Sequence, residues 1–128
     1  MISDFISLIY PKLCAACNEA LQKHETVLCT FCRFELPKTN FHEYPDNPVA
    51  KLFWGKVDLH AATAYYNFRK GERVQQLIHQ LKYKGYQDVG IEVGKLMGQT
   101  LRQAPLFEDV DVVIPVPLHP KRQRKRGW

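Results

Sequence analysis

The sequence predicts a small α/β protein with a cysteine ribbon in front, and three observations carry that expectation. All four cysteines fall within "LCAACNEALQKHETVLCTFC", residues 13–32, as two C-x-x-C pairs eleven residues apart. Two segments, "GERVQQLIHQLKYKG" and "YQDVGIEVGKLMGQTLRQAP", repeat apolar residues at helical spacing. After them "DVDVVIPVP" places a β-branched run between acids and prolines, which reads as a buried parallel strand.

At 128 residues the chain is about one domain's worth, and its hydrophobic fraction of 45% is that of a globular protein. The charge is uneven. Lys121, Arg122, Arg124, Lys125 and Arg126 supply five positive charges, equal to the whole formal excess of +5. No apolar run approaches the roughly 18 residues that span a bilayer. The opening "MISDFISLIYP" carries an acid where a signal peptide is basic, and Pro11 halts its apolar stretch. A cytoplasmic protein without membrane insertion is the expectation.

The cysteine spacing is that of two metal knuckles. A two-residue gap lets a tight turn present two sulfurs to one ion, and a second such pair completes a tetrahedron suited to Zn²⁺. The alternatives are a redox dithiol, which belongs beside a βαβ pattern not seen here, and a disulfide framework, which needs an oxidising compartment. Cys14, Cys17, Cys29 and Cys32 are therefore the expected ligands of a structural zinc. Four thiolates leave no open position for water or substrate, so the site should fold the chain and not catalyse. His24, in the loop between the knuckles, is expected to be solvated.

The other elements follow in order. Residues 1–10 read as a short apolar helix packed on the ribbon and ended by Pro11. Residues 1–40 form the ribbon unit, and residues 41–56, rich in Pro, Asn and Asp, read as a linker. In "VAKLFWGK", Leu52, Phe53 and Trp54 are expected as buried anchors. "LHAATAYYNF" alternates weakly and reads as a strand. The next helix carries Val74, Leu77, Ile78 and Leu81 on one face and closes at Gly85. Its successor carries Val89, Val93, Leu96, Met97 and Leu101, with Gly90, Gly94 and Gly98 on one face for close packing. Helix, helix, strand and loop open an α/β domain over residues 57–128, and such sheets bind ligands beyond the carboxyl ends of their strands.

"PVPLHPKRQRKRGW" lies at that position. Five cations in six residues attract phosphate in any fold, though a solvated charge run has the same composition. Pro115 and Pro117 give the loop a rigid start, the arginines supply forked donors, and His119 offers a further donor. Pro117, Leu118, His119, Arg122 and Arg124 are the candidate phosphate-binding residues. No Walker or dinucleotide glycine loop is present.

The four-cysteine ribbon, "LKYKG" at residues 81–85 and "IPVPLHPKRQRKRG" at residues 114–127 together resemble the competence protein F (ComF) family. The last motif is the most specific, and the likeness covers nearly the whole chain. The resemblance implies a zinc ribbon joined to a type I phosphoribosyltransferase-like domain and a link to DNA uptake. It implies that residues 112–119 form the first part of a phosphoribosyl pyrophosphate pocket, used with Mg²⁺ in a full-length protein. Pro117 to His119 would then lie near pyrophosphate, with Arg122 and Arg124 neutralising developing charge. The family's later strand, ending in two acids before a Thr- and Gly-rich loop, has no counterpart here. Asp109 and Asp111 precede the strand instead. The expectation is the N-terminal part of a longer protein, with an incomplete transferase domain, no catalytic residues of its own and no activity alone. The alternative is a zinc-ribbon module. Its residues Lys121, Arg122, Arg124, Lys125 and Arg126 would bind single-stranded DNA, its partner a DNA-handling competence protein or a second copy.

Overall fold

The computed structural model describes residues 2–127, so Met1 and Trp128 lie outside the description. Its helices are α1 (Ile2–Ile9), α2 (Thr30–Glu35), α3 (Pro48–Lys51), α4 (Arg73–Tyr83), α5 (Gln87–Arg102) and α6 (Pro120–Arg126). Two 3₁₀ turns lie at Phe41–Glu43 and Pro105–Phe107. Among the described residues, β structure is confined to two isolated antiparallel bridges, Leu13 with Ala20 and Lys38 with Tyr66.

The chain forms two compact units. One holds the residues up to Pro37 together with Phe68–Glu92, and the other holds Lys38–Asn67 with the residues from Val93 onward. The first unit is built around the cysteines: Cys14, Ala16, Leu28, Cys32, Leu36, Val74, Leu77 and Val89 are its buried residues. Val74 and Leu77 are the inward face that the helical spacing of α4 predicts, and Gly85, at φ 68°, ends that helix in the left-handed region as expected. At Gly90 an added Cβ would stand 3.2 Å from the Leu81 side chain, so α5 approaches α4 closely there. Gly94 and Gly98 have nothing within 4 Å, and the close packing expected of all three belongs to Gly90 alone.

The second unit is organised by a polar side chain. Asn47 is fully buried and caps α3, its Oδ1 accepting from the amides of Val49 and Ala50 at 3.0 Å each. Its Nδ2 donates to the carbonyls of Phe41 and Tyr44 at 3.0 Å and of Ala62 at 2.7 Å. The turn-rich linker is therefore ordered around one asparagine.

Four local expectations differ from the structure. Helix α1 forms, but Ile2, Phe5, Ile6, Leu8 and Ile9 are exposed rather than packed on the ribbon. Leu52, Phe53 and Trp54 are exposed too: α3 stops at Lys51, and they lie in the turn between it and Gly55, at φ 74°. Residues 59–68 yield one bridge instead of a strand, with Thr39 N–H bonded to Tyr65 O at 3.1 Å. Residues 112–116 form no strand, and Val113, Ile114 and Val116 are 82–90% exposed. Valine and isoleucine favour a pleated, half-buried surface, and a strand requires a neighbour to supply one. No such neighbour lies among the described residues.

Candidate functional site

The first knuckle is a tight hairpin. Cys14 N–H donates to Glu19 O at 2.8 Å and Asn18 N–H to Cys14 O at 2.9 Å, while Asn18, at φ 65°, makes the left-handed turn that asparagine tolerates. The second knuckle opens α2. Cys29 is its N-cap, and the Cys29 Sγ accepts from Cys32 N–H at 3.4 Å. Two further bonds lace the knuckles together: Ala15 N–H to Val27 O at 2.9 Å, and Cys29 N–H to Cys14 Sγ at 3.3 Å.

The result is a cluster in which the Sγ atoms of Cys14, Cys17, Cys29 and Cys32 all lie within 4.8 Å of one another, a spacing one metal ion can bridge. Cys14 and Cys32 are fully buried, whereas Cys17 and Cys29 are half-buried. The surroundings act on the thiols in opposite directions. Burial acts to raise the Cys14 thiol, but the amides of Cys29, Cys17 and Ala16 outweigh it and lower the thiol to about 7. Burial pushes Cys17 up, and burial with the neighbouring sulfurs pushes Cys32 up strongly. Four sulfurs this close cannot all ionise without a cation among them, which a bound metal ion would supply.

Glu25 and Arg73 also serve the site, and no sequence spacing pointed to either. The Glu25 carboxylate accepts from the amides of Gln22 at 2.7 Å and Thr30 at 2.6 Å and from the Thr30 hydroxyl at 2.7 Å, which fixes the loop at the start of α2. Those donors lower its carboxyl to about 2. The Arg73 guanidinium stacks over the Phe31 ring at 4.9 Å. Arg33 of α2 pairs with Glu92 of α5, so the second knuckle is tied to the helices of its own unit. His24 is exposed and outside the cluster, as expected.

The basic segment belongs to the second unit. Pro117 and Leu118 precede α6, and His119 caps it, with Nδ1 accepting from Lys121 N–H at 3.3 Å. Lys121, Arg122, Arg124 and Lys125 are exposed and Arg126 is half-buried. The helix closes at Gly127, at φ 80°, whose N–H bonds Gln123 O at 2.9 Å. The predicted phosphate-binding residues are thus contiguous on one short helix and its lead-in. No helix among the described residues is long and apolar enough to cross a membrane. Compared with protein-family models, curated proteins and solved structures, the chain shows no match.

Proposed function

We propose that the four cysteines hold a structural Zn²⁺ and that the chain is part of a ComF-like, zinc-ribbon protein of the phosphoribosyltransferase class linked to DNA uptake. The observation that carries the reading is the thiol cluster. Four sulfurs about 2.3 Å from one zinc stand about 3.8 Å apart at the corners of a tetrahedron. The Cys17 and Cys29 sulfurs are 3.8 Å apart. The bound ion would supply charge neutralisation and folding energy, and the amides on Cys14 and Cys29 orient their sulfurs. Purified protein is expected to contain one zinc per chain and no visible absorption. Iron–sulfur absorption, or metal-free protein with unchanged melting, would exclude zinc.

The family part of the proposal rests on "LKYKG", which closes α4, and on "IPVPLHPKRQRKRG", which leads into α6. It sets Pro117, Leu118 and His119 beside pyrophosphate. The 128 residues hold no acid pair followed by a Thr-Gly loop, so no transferase step is assigned to them. Calorimetry of the natural full-length protein with phosphoribosyl pyrophosphate and Mg²⁺ tests this part separately. Absence of binding heat would remove the transferase reading and leave the zinc site standing.

The exposure of four cations on α6 favours a second reading, a module that binds single-stranded DNA. Each lost phosphate contact lowers the salt slope by about 0.7 on a single strand, so Arg122→Ala with Arg124→Ala should lower it by about 1.4. An unchanged slope would remove this reading.

A further inference from the structure

The two knuckles contribute unequally to the surface. Cys14 and Cys32 are fully buried, and each knuckle keeps one half-buried sulfur, Cys17 in the first and Cys29 in the second. Both of these line an open cleft of ≈ 530 Å³ together with Phe31, Glu72, Arg73 and Gln76, and the two buried cysteines do not. A small oxidant therefore reaches one sulfur of each pair first. These two are also adjacent, at 3.8 Å.

We infer that Cys17 and Cys29 form an oxidation site, at which hydrogen peroxide joins the two knuckles by a disulfide and releases the metal. The inference rests on the zinc reading for its metal, and on exposure for its choice of sulfurs. The chemistry balances without another reagent. One thiolate sulfur attacks a peroxide oxygen, the O–O bond breaks, and hydroxide leaves and takes up a proton to become water. The sulfenic acid so formed is attacked by the second thiolate, the S–O bond breaks, and a second hydroxide leaves and is protonated to water. Two thiolates lose two electrons in all, and one peroxide becomes two waters at the cost of two protons.

The sulfurs must close from 3.8 Å to about 2.05 Å for the bond to form. The ion then keeps two ligands of four and is lost. A disulfide between the knuckles holds the ribbon's ends together, so reduction and added zinc restore the site. A pair formed within one knuckle would have to recruit a sulfur that solvent does not reach.

The test uses the protein as purified under reducing conditions. Its metal content is measured first, then hydrogen peroxide is titrated while released zinc is followed with a chromogenic chelator. After blocking free thiols, trypsin cuts after Lys12, Lys23 and Arg33, which leaves one knuckle on each of two peptides. The expected result is two peptides linked through Cys17 and Cys29, with one zinc released per disulfide and recovery after a phosphine reductant plus zinc. A first disulfide within either peptide, a link through Cys14 or Cys32, or oxidation with zinc retained would overturn the inference. Protein purified without metal would sink the zinc reading alone, since the peptide map still identifies the oxidised pair. Limiting N-ethylmaleimide on the untreated protein gives a second measure and should label Cys17 and Cys29 several-fold before the others. Equal labelling of all four would overturn the ordering.

Discussion

Asn47 shows how much of a small unit can depend on one polar side chain. Its oxygen takes two amides at the start of α3, and its nitrogen reaches two carbonyls of the turn at Phe41–Tyr44 and a third at Ala62. Asn47→Ala removes the cap and strands buried carbonyls, and about 2–3 kcal/mol of stability should be lost. Asn47→Asp keeps the cap oxygen but puts an acceptor against those carbonyls, so it should cost nearly as much. A denaturant midpoint close to wild type for the aspartate variant would show that the cap alone matters. The sequence marks Asn47 as a turn former, and its place at the centre depends on Ala62, which no local pattern connects to it. Glu25 is similar. Its carboxyl is lowered in the folded state, from an ordinary 4.5 to about 2, by the Gln22 amide first and then by the Thr30 amide and hydroxyl. A depressed carboxyl stabilises fully above its unfolded value and loses that contribution as pH falls toward the folded one. Stability of the wild type should therefore fall more steeply between about pH 4.5 and 2 than that of Glu25→Gln. Parallel curves through that window would count against the loop clamp.

At the scale of elements, the sequence was most legible where periodicity alone decides. The apolar spacing of α4 and α5 predicted both helices, and the two C-x-x-C pairs predicted which residues converge, because a knuckle is a local structure whose ligands lie in one short segment. Elements that need a distant partner were less legible. The β-branched run at residues 112–116 and the aromatic run at residues 59–68 have strand propensity, but a ladder is a property of two segments. Helix α1 has a strong apolar stripe, and the sequence alone did not reveal that the stripe would face solvent. The glycines of α5 separate these two kinds of information. On one face by sequence, they differ in surroundings, with Leu81 against Gly90 and open space at Gly94. Gly94→Ala should stabilise by about 0.8–1 kcal/mol through helix propensity. Gly90→Ala gains the same propensity but must displace the end of the Leu81 side chain, so its net effect should be smaller. Equal melting shifts for the two variants would mean that Gly90 is not at a close approach.

At the scale of the whole molecule, the buried side chains are few, and half of those in the first unit lie in or beside the four-cysteine cluster. Of its buried residues, Cys14 and Cys32 belong to that cluster, Ala16 lies inside the first knuckle, and Leu28 immediately precedes Cys29. Apolar burial in a core this small offsets little of the chain entropy of folding, and the proposed zinc would add coordination energy to it. The second unit, whose buried residues are Asn47, Ala50 and Ala104, contains none of the four cysteines. Chelation should therefore act unevenly. Hydrogen exchange read by mass spectrometry, with and without EDTA, is expected to show lost protection at the amides of Ala15, Asn18, Leu21 and Cys32. The amides of Ala50 and Lys51, bonded to Asn47, should keep theirs. Substituting Cys32→Ser should reproduce the chelated pattern, because it removes a buried ligand and leaves the second unit's hydrogen bonds untouched. Uniform loss across the chain would show that the units fold as one, and no loss in the ribbon would show that the metal does not hold it together.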